Sequence, residues 1–219
     1  MTAYFIAATG TGVGKTFTTC ALLHAARQRG AVMRGLKPVI SGWDAADATS
    51  DTAQIIVASG MTGEVAKISP WRFAAPLSPH RAAALEQKTL DMGSLTDWTN
   101  EQIRHTPRTL VEGVGGVMVP LNDRDTTLDW MVALGLPVIL VVGSYLGTIS
   151  HTLTALSVVR ARGIRVRALV MNESAESSVA WQEAQAGLAP FIADMHIVFQ
   201  PRVTSWKEAT AIHVLESQL

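Results

Sequence analysis

The run Thr9-Gly10-Thr11-Gly12-Val13-Gly14-Lys15-Thr16 carries the strongest chemical signal in the sequence. Small residues at this density let backbone N–H groups turn inward as a nest for phosphate oxygens. The glycine–lysine–threonine end opens a helical stretch, and a helix N-terminus adds unpaired donors and a favourable dipole for anions. A lysine in a first helical turn opposes that dipole, so a bound anion is its natural compensation. In a loop of this kind Lys15 neutralises the β- and γ-phosphates and the Thr16 hydroxyl ligates Mg²⁺. The ordinary pattern has glycine at position 9, where this chain has Thr9.

Four downstream residues could work with the loop. Lys37 lies inside the apolar run Leu36 to Ile40, at the carboxyl end of a predicted strand. It is expected to face the loop; the alternative is a surface lysine with its stem laid on apolar neighbours. Ser41 precedes Gly42 and by itself reads equally as a turn residue. Asp51 opens a predicted helix after Thr49 and Ser50, as an N-cap or as a cap that also holds Mg²⁺ through water. Glu112 ends the run Thr109-Leu110-Val111 and precedes Gly113-Val114-Gly115-Gly116. A carboxylate there is the expected second anchor for Mg²⁺, and the glycines let backbone approach a ligand closely. His24, His105, His196 and His213 have no ligand set beside them in sequence, so no metal is assigned to them. No G-x-S-x-G pattern for a nucleophilic triad is present.

These residues need a scaffold that brings loops together, and the pattern of the chain supplies one. Continuous apolar runs at Ala3–Ala8, Val32–Val39, Thr109–Glu112, Val138–Gly143, Val166–Met171 and His196–Phe199 read as buried strands. Between them, helices are predicted at 15–29 (ended by Gly30), 52–59, 79–87, 95–104, 128–134, 148–162, 178–188 and 206–216. This alternation implies an α/β fold with a mostly parallel central sheet and helices on both faces. Ligands then gather at the carboxyl ends of the strands.

Composition agrees. The chain has 219 residues, 48% apolar and 16% charged, which argues against disorder. No linker or repeat divides it, so residues 1–219 read as one domain. Eighteen basic residues balance eighteen acidic ones, so a broad nucleic-acid face is not expected. Cys20 is the only cysteine, which excludes an internal disulfide and a multi-cysteine zinc site; it reads as core packing. The six tryptophans also read as packing. No signal peptide or membrane span is evident, so a soluble cytoplasmic protein is expected.

The sequence resembles the dethiobiotin synthetases over nearly its whole length. The family's loop G-T-x-T-x-V-G-K-T is here Ala8 to Thr16, and its K-P-V-x-S-G is Lys37 to Gly42. Its F-x-x-P-x-S-P-H is Phe73 to His80, and its E-G-x-G-G-x-x-x-P-L is Glu112 to Leu121. Its L-P-V-I-L-V-V followed by L-G-x-I-N-H is Leu136 to Val142 and Leu146 to His151. Three positions depart: Ala8 replaces a glycine, Gly12 stands where many members are acidic, and Ser150 replaces asparagine.

The resemblance implies a single-domain P-loop NTPase fold. It implies ATP and Mg²⁺ as cofactors, 7,8-diaminononanoate and CO₂ as substrates, and dethiobiotin, ADP and phosphate as products. This is the penultimate step of biotin synthesis, through a carbamate and a carbamic-phosphoric anhydride. Catalytic roles then fall to Lys15, Lys37, Thr11 and Ser41, and Mg²⁺ to Thr16, Asp51 and Glu112. ATP falls to Gly12, Val13, Gly14, Lys15, Thr16, Phe17, Glu112 and Gly115, with adenine read by Asn172 and flanked by the backbone of the segment Gln200-Pro201-Arg202-Val203, of which Pro201, Arg202 and Val203 are assigned to the nucleotide. An amide offers adenine both a donor and an acceptor; as a residue after a strand, Asn172 also fits a turn. Substrate falls to Thr11, Lys37, Ser41, Gly115, Val117, Thr148, Ile149 and Ser150. The last three are expected to act across a homodimer interface, with the helix N-terminus receiving the substrate carboxylate. Competing readings are a partitioning or cell-division-type ATPase switch, an amidotransferase-linked synthetase, and a catalytically weakened paralogue.

Overall fold

The computed structural model describes residues 2–60, 64–175, 179–192 and 195–219. Strand β1 (Thr2–Ala8) runs through the middle of the molecule and is buried from residue 3 onward. The loop 9–14 leads into helix α1 (Lys15–Gln28), which Gly30 ends with φ 72°. Ala31 donates back to the Ala26 carbonyl at 2.9 Å, closing the helix end.

The expected strand over 32–39 is two short strands in two sheets: β2 (Arg34–Leu36) and β3 (Val39–Ser41). The break falls at Lys37-Pro38. The Lys37 N–H goes to the Ile68 carbonyl at 3.1 Å, and Pro38 has no N–H to give. Strand β3 instead pairs with β4 (Trp71–Phe73), which the apolar pattern does not reveal because it is only three residues long.

Helix α2 (Asp51–Ser59) corrects the reading of Asp51 as N-cap. Ser50 is the cap, its hydroxyl accepting from the Ala53 N–H, and Asp51 is the first helical residue. An acid there still favours the helix dipole, and its carboxylate is left to turn toward Lys37. The chain continues through α3 (Pro79–Leu85), α4 (Met92–Arg104), β5 (Arg108–Glu112), α5 (Thr127–Leu134) and β6 (Val138–Gly143). Helix α4 starts earlier than expected because the Asp91 carboxylate accepts from the Ser94 N–H at 2.7 Å. Next come α6 (Thr148–Ala161), β7 (Val166–Asn172), α7 (Trp181–Leu188), β8 (Ile197–Gln200) and α8 (Thr210–Glu216). The expected start of α7 at Ser178 lies outside the described residues. The predicted helix over 206–216 is a single 3₁₀ turn (Trp206–Glu208), a non-helical Ala209, and then α8.

The main sheet has strand order β2-β5-β1-β6-β7-β8, and every pairing in it is parallel. Alternation along β1 sends Phe5 and Ala7 into one core and Tyr4, Ile6 and Ala8 into the other. Helices α3 to α7 contribute Ala82, Leu95, Leu128, Leu156 and Leu188 to the first; α1, α2 and α8 contribute Leu22, Ile55 and Ile212 to the second. Cys20 is buried in the second core, and burial pushes its thiol pKa up. Both faces are covered, as a parallel sheet requires. The carboxyl ends of the strands therefore share one edge, where the loop after β1, Lys37, Glu112, Asn172 and Gln200 all lie.

Candidate active site

The loop after β1 takes its shape from two glycines with positive φ, Gly12 at 76° and Gly14 at 94°. A side chain on Gly14 would also strike the Asn172 amide. Lys15 curls back over the loop, its Nζ donating to the Gly10 carbonyl at 3.1 Å and the Gly115 carbonyl at 2.8 Å. Burial, with Lys37 nearby, lowers the Lys15 pKa to about 8.

Lys37 is almost fully buried, 3% exposed, and Glu112 beside it is 0% exposed. The Lys37 Nζ donates to Glu112 Oε1 at 2.7 Å and the Gly113 carbonyl at 2.9 Å, and pairs with Asp51 Oδ2 at 3.1 Å. All three of its donors are engaged. Burial by itself would lower the Lys37 pKa, but the Glu112 and Asp51 carboxylates overcome it and hold Lys37 above its ordinary value. Burial would raise Asp51; Lys37 and the Thr16 hydroxyl instead hold it below the usual carboxylate range.

The Thr16 hydroxyl donates to the same Glu112 Oε1 at 2.7 Å. The second oxygen, Glu112 Oε2, is buried with no hydrogen-bond partner among the described residues. A buried carboxylate oxygen left this way is costly, and a cation would satisfy it. Two carboxylates and a hydroxyl are hard oxygen donors, and Mg²⁺ takes few protein ligands because it keeps waters and phosphate oxygens. Thr16, Asp51 and Glu112 therefore fit Mg²⁺. Among the described residues no cluster of three or more His, Cys, Asp or Glu suits a metal.

Two cavities meet at the loop. One, about 750 Å³, is lined by Thr11, Lys15, Thr16, Lys37, Ser41 and Asp51, with Gly115 on its wall. Pro76 to Pro79 form part of its rim, a segment not expected to contribute. The other, about 410 Å³, lies on the far side of Gly12, Gly14 and Phe17, which line both. It is bounded by Val13, Asn172, Gln200, Pro201, Arg202 and Val203. The Asn172 Nδ2 donates to the Val13 carbonyl at 3.0 Å and the Gly14 carbonyl at 3.3 Å, tying β7 to the loop. The Arg202 N–H is fixed by Glu173 Oε2 at 2.9 Å.

The structure brings most expected site residues to these cavities, with five exceptions. Glu112 is fully buried and lines neither, touching Lys37 and Thr16 that line the larger one. Val117 packs in the core below the sheet edge, and its N–H goes to the Ala8 carbonyl at 3.0 Å. Thr148, Ile149 and Ser150 line neither cavity. They form the first turn of α6; Thr148 is buried against the Gly143 carbonyl, and Ser150 is exposed beside Leu146, itself 79% exposed. Sequence reasoning misses Glu173, and it places Gln200 only as backbone in the segment that flanks the base, not through its side chain. The usable signal is position, since Gln200 is a polar residue closing an apolar strand at the ligand edge.

A family model described as an AAA domain matches residues 2–213. The chain is 48% identical to the ATP-dependent dethiobiotin synthetase BioD of Caulobacter sp. strain K31, covering 98% of this chain and 95% of the relative. It is 44% identical to the protein of the same name from Caulobacter vibrioides, covering 98% and 99%. The chain belongs to the dethiobiotin synthetase family. Dethiobiotin synthetases are ATP-dependent ligases, and this chain is an enzyme of that class, with a role in the biotin pathway. Its fold is that of P-loop NTPases more widely. The Pyrococcus furiosus cell division ATPase MinD superposes with TM-score 0.62 at 13% identity, covering 100% of this chain and 99% of that one. MinD of Pyrococcus horikoshii, solved with Mg-ADP, gives 0.58 at 14%, covering 99% and 95%. At such identities the likeness to MinD is one of fold alone. No helix among the described residues is long and apolar enough to cross a membrane.

Proposed function

We propose that the chain closes the ureido ring of dethiobiotin from 7,8-diaminononanoate, CO₂ and MgATP. One observation carries the reading: a buried Lys37 and a loop Lys15 border one cavity, and that cavity shares the phosphate loop with a second, nucleotide-sized one. The adenosine end would lie in the cavity of Asn172 and Pro201 to Val203, with the phosphates across Gly12 to Phe17 and the diamine beside Lys37.

One amine of the diamine adds to CO₂ and loses a proton, giving a carbamate. A carbamate oxygen attacks the γ-phosphorus and ADP leaves. The second amine then attacks the carbamoyl carbon, the carbon–oxygen bond to phosphate breaks, and the amine proton is lost as the ring closes. Carbamate and triphosphate repel each other by several kcal/mol at close range, at an effective dielectric near ~20. Lys15 and Lys37 offset that repulsion. Lys37 accepts the new anion by giving up its longest contact, the 3.1 Å pair with the partly exposed Asp51. Glu112 and Gly113 keep its ammonium in place. Thr11 and Ser41 orient the carbamate oxygens, and Gly115 lends backbone. Thr16, Asp51 and Glu112 would hold Mg²⁺, which would supply positive charge to the transferring phosphate.

In the first turn of α6, Thr148 is buried, Ile149 packs on the core and Ser150 is exposed; the proposal includes a homodimer in which Thr148, Ile149 and Ser150 of the partner subunit hold the substrate carboxylate through backbone N–H groups. Val117 is left out of substrate binding, since it packs in the core and its N–H goes to the Ala8 carbonyl. A cytoplasmic location follows from the substrates. The test is phosphate release from MgATP and bicarbonate, with and without the diamine, with product mass measured. Diamine-dependent release with dethiobiotin formed supports the reading. Release indifferent to the diamine overturns it in favour of an ATPase switch, and nucleotide binding without turnover overturns it in favour of a weakened paralogue.

A further inference from the structure

Gln200 closes β8 directly beside Asn172, with which it is in register across β7 and β8. Alternation puts both side chains on the face that carries α1, since Val170 and Val198, two residues earlier on each strand, lie in that core. Gln200 is 2% exposed and lines the smaller cavity together with Asn172. Its Nε2 donates to the Pro201 carbonyl at 2.7 Å. The Asn172 Nδ2 is likewise spent on the Val13 and Gly14 carbonyls and the Thr18 hydroxyl. Carbonyl oxygens only accept, so these contacts fix which end of each amide is nitrogen. What remains is two buried acceptors, Asn172 Oδ1 and Gln200 Oε1, neither with a hydrogen-bond partner among the described residues.

Buried acceptors are almost always paired in folded proteins. Two orphaned ones at adjacent strand ends, in one cavity, call for a ligand with donor hydrogens. We infer that Gln200 is a base-selecting residue, its Oε1 acting with Asn172 Oδ1 as a pair of acceptors that reads the exocyclic 6-amino group of the nucleotide base. This rests on the reading that the smaller cavity takes the adenosine end of ATP. Adenine offers two N–H hydrogens at that position; a purine with hydrogen there offers none, and a 6-oxo purine sets an acceptor against the acceptors. A site built to bond an N–H rejects analogues lacking it, because its own buried groups stay unpaired.

The test compares nucleotide dissociation constants, measured by calorimetry on the full chain, for ATP, purine riboside triphosphate and GTP. Wild type should bind ATP at least about tenfold more tightly than the purine analogue, the size expected when buried acceptors lose their donors. Gln200→Leu should lower the ATP-to-purine ratio about fivefold or more, while affinity for the purine analogue holds or improves. A purely structural role for Gln200 would weaken both nucleotides together and leave the ratio unchanged, which overturns the inference. Tighter binding of GTP than ATP by wild type would also overturn it. If Gln200→Leu fails to fold, the wild-type ratio still decides, since equal affinity for ATP and the purine analogue contradicts the reader. Lys15→Ala separates the two levels. If ATP binding does not depend on Lys15, the nucleotide placement fails; if it does while the ratios are flat, only the role of Gln200 fails.

Discussion

The two cavities that meet at the phosphate loop are built from opposite materials. Around Lys37 the groups are charged and answer one another: two lysines face two carboxylates, and Lys37 spends every donor on protein. Around Asn172 and Gln200 the groups are neutral amides whose nitrogens already donate within the protein and whose oxygens have no partner among the described residues. At the charged end the buried Glu112 Oε2 has no hydrogen-bond partner among the described residues, and in the proposed reaction Lys37 must release Asp51 to admit an anion. The amide end needs only a ligand of matching hydrogen-bond pattern. In the proposed reaction charge sets the chemistry at one end, and hydrogen-bond geometry sets selection at the other.

The difference can be broken at the charged end first. Lys37→Ala should cut turnover by about three orders of magnitude while circular dichroism and nucleotide binding persist, because its loss is felt mainly when charge is transferred. Lys15→Ala should abolish turnover and weaken nucleotide binding as well. Near-normal turnover in Lys37→Ala would remove it from the chemistry. Glu112→Gln is expected to lower stability by about 3–5 kcal/mol in urea unfolding, since it leaves the buried Lys37 underpaired. It should also raise the Mg²⁺ concentration needed for half-maximal activity; an unchanged Mg²⁺ requirement would take Glu112 out of the metal site.

Gly14→Ala tests the joint between the two ends. Its φ of 94° is strained for alanine, and the added methyl meets the Asn172 amide. A loss of about 1–3 kcal/mol is expected, with weakened nucleotide binding. A smaller effect comes from pH. Free Lys15 has its pKa lowered to about 8, and phosphate binds its charged form. Nucleotide affinity should therefore be level below the pKa and fall as pH rises through it, by up to about tenfold per pH unit, with proton uptake on binding. An affinity flat between about pH 7 and 9 would contradict this. The proposed partner contribution is tested by mixing. Heterodimers of Lys15→Ala subunits with subunits blocked at the Thr148 turn should regain some activity, and none regained would count against a shared site.

The same contrast explains what is legible in the sequence. Lys15, Thr16, Lys37 and Glu112 can be read because a charged or metal-binding residue inside an apolar or glycine-rich run has few structural excuses. The parallel sheet follows from apolar runs long enough to be buried on both faces. Strand β4 escapes because three residues carry no periodicity, and the split at Pro38 depends on where the Lys37 N–H finds its partner. Asp51 reads as a cap because serine and aspartate cap helices equally well, and only tertiary contact with Lys37 decides between them. Gln200 reads only as base-flanking backbone, because an amide at a strand end looks like any polar terminus until its unpaired oxygen is seen.

The most direct test of phosphoryl transfer to a carbamate is an isotope experiment. Dethiobiotin is formed from 7,8-diaminononanoate, MgATP and ¹⁸O-labelled CO₂, and the released phosphate is analysed by mass. Attack of a carbamate oxygen on the γ-phosphorus predicts one labelled oxygen in phosphate for each dethiobiotin made. Unlabelled phosphate alongside dethiobiotin would contradict phosphorylation of the carbamate, and with it the roles of Lys15 and Lys37 in bringing carbamate and triphosphate together.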